Sequence, residues 1–172
     1  MNYFTFFDIP EAFEIDQKLL KRKFLEKSRA YHPDFFSQED EESQEEALRL
    51  SSINNEAYKV LSNQELRIKY ILTEHAILAP EGQNTVPQDF LMEVMDINEA
   101  IMDLQMEEND KALENVKNQI SDFKTTLLDQ SKSFMLAFDS GDKSARVLEG
   151  IKEYYLKHRY LVRMEENLKK LD

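Results

Sequence analysis

The sequence predicts an all-α protein, an N-terminal helical hairpin followed by an antiparallel three-helix bundle. Composition comes first: 172 residues contain only three Gly and four Pro, with 33% charged and 41% hydrophobic residues, which favours helices over sheet. Apolar residues then recur at three- and four-residue spacing over long stretches, as one buried helix face requires. Finally, residues 79–87 (Ala79-Pro80-Glu81-Gly82-Gln83-Asn84-Thr85-Val86-Pro87) form the only Pro/Gly-containing linker of any length, and divide the chain into 1–78 and 88–172.

The first helix is expected from an Asp16 cap to Tyr31. With Leu20 as reference, Phe24, Ser28 and Tyr31 fall on one side, with the stems of Lys23 and Lys27 at its flanks. Lys18, Arg22 and Arg29 point the opposite way, and Lys21 lies to the side. Pro33 lacks an N–H and pushes His32 away from the α region, so this helix must end near Tyr31 or His32. Asp34 is thereby held on a turn beside a basic patch. A carboxylate displayed that way suits a partner's arginine, whose planar guanidinium can bond it bidentately. A second helix is expected from Glu41 to Leu61, burying Leu50, Ile53, Ala57 and Leu61, and a third, capped by Asn63, from Gln64 to about Ile77.

Beyond the linker, the first bundle helix keeps a stripe of Phe90, Val94, Ile97, Ile101 and Leu104. The second carries Leu113, Val116, Ile120, Phe123, Leu127 and Phe134, and the third Val147, Ile151, Tyr154, Leu161 and Leu168. Breaks at Asn109-Asp110 and Gly141-Asp142 are short, so the helices should be antiparallel neighbours.

The first bundle helix has more apolar side chains than its core needs. At about 100° per residue from Phe90, Leu91, Met92, Met95, Met102 and Met106 fall between roughly 100° and 200°, off the core stripe. Asp96, Glu99 and Asp103 share or adjoin that far face. A Leu/Met patch edged with carboxylates has the character of a protein-docking surface, because Met packs adaptably and the acids select a basic partner. Burial on two sides, by the bundle and by the N-terminal domain, is the other reading for Met102 and Met106, although unpaired buried carboxylates beside them would be costly.

Net charge is −12, which argues against broad nucleic-acid binding through phosphates. The charge is uneven. Residues 18–29 hold six basic side chains against the single acid Glu26, and residues 39–46 hold six acids and no base. The absence of Cys removes thiolate metal sites and thiol catalysis. No stretch approaches the ~20 apolar residues of a membrane span, and Met1–Phe7 lacks a basic n-region, so a cytoplasmic protein is expected. Gly82, Gly141 and Gly150 stand alone, without the pattern of a phosphate-cradling loop. His32, His75 and His158 are scattered, with no metal-ligand spacing. His75 reads as a capping or packing residue and His158 as a polar core residue.

The basic helix, Tyr31-His32-Pro33-Asp34, then Asn55-Glu56-Ala57-Tyr58-Lys59-Val60-Leu61 and Arg67 with Tyr70, together resemble the J-domain of DnaJ-type co-chaperones. Tyr3-Phe4-Thr5-Phe6-Phe7, Arg67-Ile68-Lys69-Tyr70-Ile71-Leu72 with His75, and Phe90-Leu91-Met92-Glu93 bring the resemblance closer to the HscB family, the J-type co-chaperones of iron–sulfur cluster assembly. It covers nearly the whole chain. It implies a J-domain over 1–78, a linker over 79–87 and a scaffold-binding bundle over 88–172. By the same resemblance the protein is no enzyme and needs no cofactor. It would stimulate ATP hydrolysis by a DnaK- or HscA-type chaperone and deliver an IscU-type scaffold to it. By position, His32, Pro33, Asp34, Lys18, Lys21, Arg22 and Arg29 would meet the chaperone. Leu91, Met92, Met95, Asp96, Glu99, Asp103 and Tyr160 would meet the scaffold. A monomer that binds neither nucleic acid nor membrane is expected.

Asn54 departs from the family pattern, standing where an aliphatic residue usually faces the J-domain core. Met95 and Asp96 are conservative replacements rather than matches. A general DnaJ-type co-chaperone serving other clients is the alternative, although no Gly/Phe-rich or cysteine-rich region of that kind is visible.

Overall fold

The structure, a computed structural model, describes residues 1–80, 82–107 and 109–170. It is all-helical, with no strand among the described residues, and divides into two compact units, Met1–Glu74 and His75–Asp172. The expected linker 79–87 falls in the second unit, and Glu81 of that linker lies outside the described residues. Leu171 and Asp172, at the end of the expected bundle, also lie outside them. No described helix is long and apolar enough to cross a membrane.

The first unit contains α1 (Tyr3–Phe6), α2 (Gln17–Ala30), a 3-10 turn (Pro33–Phe36), α3 (Glu41–Ser62) and α4 (Gln64–Glu74). Each longer helix starts on a side-chain oxygen that accepts an otherwise orphaned backbone N–H. Asp16 accepts from Lys18 and Leu19 at 2.8 and 3.0 Å, Asp40 from Ser43 at 2.8 Å, and Asn63 from Leu66 at 3.0 Å. α2 lies against α3 over Leu20, with Phe24 stacked on Tyr58 at 4.2 Å between ring centroids. The short α1 feeds Phe4, Phe6 and Phe7 into the same core. Tyr70 ties it to α4, stacking on Tyr3 at 4.5 Å and accepting the Tyr3 backbone N–H at 2.9 Å.

Arg67 of α4 is buried, and its guanidinium donates to two backbone carbonyls. Nε reaches Phe13 O at 2.9 Å, in the segment before α2, and Nη1 reaches Leu61 O in the last turn of α3. The last carbonyls of a helix lack intrahelical donors and carry the negative end of its dipole, so a cation that donates there is favoured twice.

Three expectations are corrected here. α3 buries Ala47, Asn54, Ala57 and Leu61, while Leu50 and Ile53 are only half-buried. Asn54 is admitted because its Nδ2 donates to Phe24 O at 3.2 Å and to Ser28 Oγ at 2.9 Å, fastening α3 to α2. Its Oδ1 is buried with no hydrogen-bond partner among the described residues. Next, α4 stops at Glu74 rather than Ile77, and Ala76 follows in the left-handed region at φ 55°, which a continuing helix cannot contain. The third correction concerns the first bundle helix, which is two helices.

The second unit contains α5 (Gln88–Glu93), α6 (Met95–Met106), α7 (Asp110–Asp139) and α8 (Ala145–Leu168). Val94, fully buried, sits between α5 and α6 at φ −96° and ψ 6°, the sparsely allowed bridge region, and turns the chain while remaining in the core stripe. Phe90, Ile97, Ile101 and Leu104 are buried as expected. So are Val116, Ile120 and Leu127 of α7, and Val147, Ile151, Tyr154, Leu161 and Leu168 of α8. Leu113, Phe123 and Phe134 are half-buried, and Met135 and Phe138 extend the α7 core by another turn. α7 ends in a Schellman motif, with Gly141 at φ 105° and the N–H groups of Gly141 and Asp142 reaching Phe138 O and Ala137 O at 2.9 Å each. Gly150 lets α8 approach α7 so closely that a Cβ there would stand 2.8 Å from the Phe134 ring. His75 lies edge-on to Phe138 at 5.5 Å, and His158, half-buried, tilts against Tyr154 at 5.6 Å. Both are packing residues. Lys124 and Glu165 add a bridge between α7 and α8 at 2.9 Å.

Replacing Arg67 with Met should lower the unfolding free energy of the first unit by about 3 kcal/mol, because two charge-assisted bonds go and two buried carbonyls lose their donor. Arg67→Lys should recover less than half of that in a denaturant titration, since one ammonium cannot span both acceptors in the guanidinium's fork geometry. For Asn54, Leu should cost about 1 kcal/mol, because removal of the unpartnered Oδ1 only partly offsets the two lost bonds to Phe24 O and Ser28 Oγ. Asn54→Asp should cost about 3 kcal/mol or more at neutral pH by burying an unpaired charge. Equal midpoints for the Leu and Asp variants would contradict the assignment of Asn54 to the core.

Candidate docking surfaces

The first surface is built on α2 and the turn after it. Of the six cations on residues 18–29, two are engaged locally. Lys23 pairs with Asp8 at 2.9 Å, and Lys27 lies over the Phe6 and Tyr31 rings at 4.6 and 5.7 Å. The other four, Lys18, Lys21, Arg22 and Arg29, are exposed on one side of the helix. The pairing Lys23–Asp8 holds the Asp8 carboxyl below its usual range, first through the hydrogen bond and then through the charge.

α2 ends where proline requires. Tyr31 is its C-cap, and the Tyr31 N–H still reaches Lys27 O at 2.9 Å. His32 is extended at φ −67° and ψ 126°, and the chain re-enters helical geometry as a single 3-10 turn from Pro33. His32 caps that turn, its Nδ1 accepting the Asp34 N–H at 3.3 Å. An accepting Nδ1 places the proton of the neutral imidazole on Nε2. The Asp34 carboxylate stands 3.6 Å from the same ring, with its side chain 86% exposed. Ser37 Oγ donates to the Asp34 backbone carbonyl at 3.0 Å and closes the turn. His32, Pro33 and Asp34 are thus all exposed at the C-terminal end of the basic helix.

The second surface is built on α5 and α6. Residues 88–107 hold Asp89, Glu93, Asp96, Glu99, Asp103 and Glu107 and no Lys, Arg or His. Leu91, Met92, Met95, Asp96, Glu99 and Asp103 are all exposed. Met102 and Met106 are exposed as well, at 64% and 90%, so the bundle itself does not bury them. Within α6, at about 100° per residue, Met95, Glu99, Met102 and Met106 share an arc of roughly 60°, and Asp96 and Asp103 lie along one flank.

Behind this face, fully buried Phe90 fixes α5. Phe123 and Tyr160 meet its ring edge-on at 6.1 and 5.8 Å, and Lys157 lies over it at 5.5 Å. Tyr160 is half-buried, and its hydroxyl accepts from Asn98 Nδ2 at 3.0 Å, joining α8 to α6. Among the described residues no three His, Cys, Asp or Glu side chains converge to hold a metal ion. Sequence reasoning did not find the Asn98–Tyr160 bond, which joins residues 62 positions apart. Nor did it mark Leu25 and Phe35 as exposed apolar residues of the first surface. Their helical and turn positions were readable, but the packing that leaves them outside was not.

Comparison with known proteins places both surfaces in context. Residues 86–169 match the family model described as the HSCB C-terminal oligomerisation domain. The chain is 31% identical over 169 residues to the iron-sulfur cluster co-chaperone protein HscB of Mus musculus, covering 98% of this chain and 68% of that protein. It is 28% identical to the co-chaperone protein HscB of Proteus mirabilis, over 100% of this chain and 96% of the relative. The crystal structure of human co-chaperone protein HscB matches with a TM-score of 0.77 at 30% identity, covering 98% of this chain and 81% of that one. Continuous similarity from the aromatic N-terminus to the last bundle helix, on the same fold, shows that the chain belongs to the HscB family of co-chaperones.

Proposed function

We propose that this protein is a two-site adaptor that stimulates ATP hydrolysis by a DnaK- or HscA-type chaperone and delivers an IscU-type iron–sulfur scaffold to it. The observation that carries the reading is the exposed His32-Pro33-Asp34 turn at the end of a helix presenting Lys18, Lys21, Arg22 and Arg29. In this reading residues 1–78 act as the J-domain. The cations draw in an acidic chaperone surface, and Asp34 offers a carboxylate to an arginine there. His32 holds the Asp34 N–H and so keeps the turn in shape.

In the same reading residues 88–172 hold the scaffold. Leu91, Met92 and Met95 are the apolar anchors. Asp96, Glu99 and Asp103 select a basic rim, and Tyr160 supports the face from α8. An adaptor bound at both sites raises the effective concentration of scaffold at the chaperone without any chemistry of its own. The names of the mammalian relatives, which join "iron-sulfur cluster" to "co-chaperone", support the scaffold as client over unspecified unfolded proteins.

Adding the protein to a DnaK/HscA-type chaperone should raise ATP turnover, and His32→Gln should remove the stimulation while leaving the thermal unfolding transition in place. Full stimulation by the variant would sink the J-domain reading. For the bundle, titrating an IscU-type scaffold by calorimetry should give a Kd roughly a hundredfold weaker for Leu91→Ala/Met92→Ala, in line with truncating two central anchors. Indistinguishable affinities would show that the scaffold uses another face.

A further inference from the structure

We infer that the basic surface of α2 grips its acidic partner through two apolar anchors, Leu25 and Phe35, so that part of the chaperone contact survives high salt; this rests on the co-chaperone reading above. Taking Leu20 as zero, Lys21, Lys18, Arg29 and Arg22 span about 100° to 200° around α2, and Leu25 lies at about 140°, in the middle of that arc. Leu25 is 46% exposed. It lines one shallow depression together with the four cations and Glu26.

A single exposed Leu needs no explanation. Phe35 changes the weight of it. This side chain is 71% exposed in the turn that follows His32, while its neighbour Phe36 is half-buried, so Phe35 is not serving the core. Its ring meets His32 edge-on at 5.9 Å, and its backbone N–H donates to His32 O at 3.0 Å. The aromatic ring is thus held in direct contact with one of the proposed docking residues. Leu25, set among long cationic side chains, has the anatomy of an interface centre and rim, in which the rim excludes water from the anchor, and Phe35 adds an aromatic anchor at the docking turn.

The charge selects the occupant. Four outward cations against Glu26 fit an acidic surface, and the anchors require that surface to present apolar ground between its carboxylates. Salt screens the rim but not the apolar centre.

The test is a titration of chaperone ATP turnover with wild type, Leu25→Ser/Phe35→Ser and the conservative pair Leu25→Met/Phe35→Leu. The serine pair should raise the half-maximal concentration roughly tenfold, about 1.4 kcal/mol, with maximal stimulation unchanged. The ratio to wild type should be the same at about 0.05 M and about 0.3 M salt, and the conservative pair should titrate like wild type. Should serine loosen the fold in a circular-dichroism melt, Leu25→Gln/Phe35→His removes the apolar character at similar size and gives the same comparison. Stimulation by wild type, loss with His32→Gln and no change with the serine pair would overturn the anchors and leave the co-chaperone reading standing. No stimulation by wild type would overturn both. A wild-type dimer in sedimentation that the serine pair dissolves would assign the anchors to a second copy of the chain instead.

Discussion

A buried guanidinium holds the first unit together. Arg67 reaches from α4 to the carbonyl of Phe13 on one side and of Leu61 on the other, two points 48 residues apart in the chain. The segment before α2 and the end of α3 are each backbone without regular partners, and a planar donor with a fixed fork satisfies both. α2 is therefore anchored at its entrance by Arg67 and along its length by Asn54, whose amide bonds Phe24 O and Ser28 Oγ. With the inner face of the helix held by polar pins as well as by Leu20 and Phe24, the outer face is left to four cations around Leu25.

The two surfaces are opposites in composition but alike in design. Each places side chains that a core does not need on the outside of a helix whose inner stripe is complete. On α2 the stripe is met by Leu20 and Phe24, with Lys23 and Lys27 tied to Asp8 and to the Phe6 and Tyr31 rings, so four cations remain outside. On α5 and α6 the stripe of Phe90, Val94, Ile97, Ile101 and Leu104 is wholly buried, so the methionines remain outside. The acids among them suit a basic partner and the cations of α2 an acidic one, so the two surfaces would select different partners.

Much of this was legible from the residues. Caps at Asp16 and Asn63 could be read because a short polar side chain stands immediately before an amphipathic run. The stripes of α7 and α8 could be read because they persist for many turns, and Pro33 dictates the end of α2 from covalent structure alone. Other features depended on contacts that are distant in sequence. Ile53 and Asn54 differ by about 100° of helix rotation, and Phe24 O and Ser28 Oγ, 30 and 26 positions away, make the polar member of the pair the buried one. Arg67 looks like a surface residue until its two carbonyl acceptors are known. The Val94 break was hidden because a buried apolar residue keeps the stripe intact whether the helix continues or turns.

The break at Val94 also divides the exposed Leu/Met face between two helices. Leu91 and Met92 belong to a helix of six residues, and Met95, Met102 and Met106 to a separate one of twelve. A helix of under two turns has little stability of its own and persists only because Phe90 is locked beneath it. The display is therefore not portable. A straight synthetic peptide with the same residues would spread them along one axis and lose the change of direction at Val94. If this face docks a scaffold as proposed, its shape is set by the bundle's interior as much as by its skin, and substitutions at buried Phe90 would weaken that docking without touching an exposed residue.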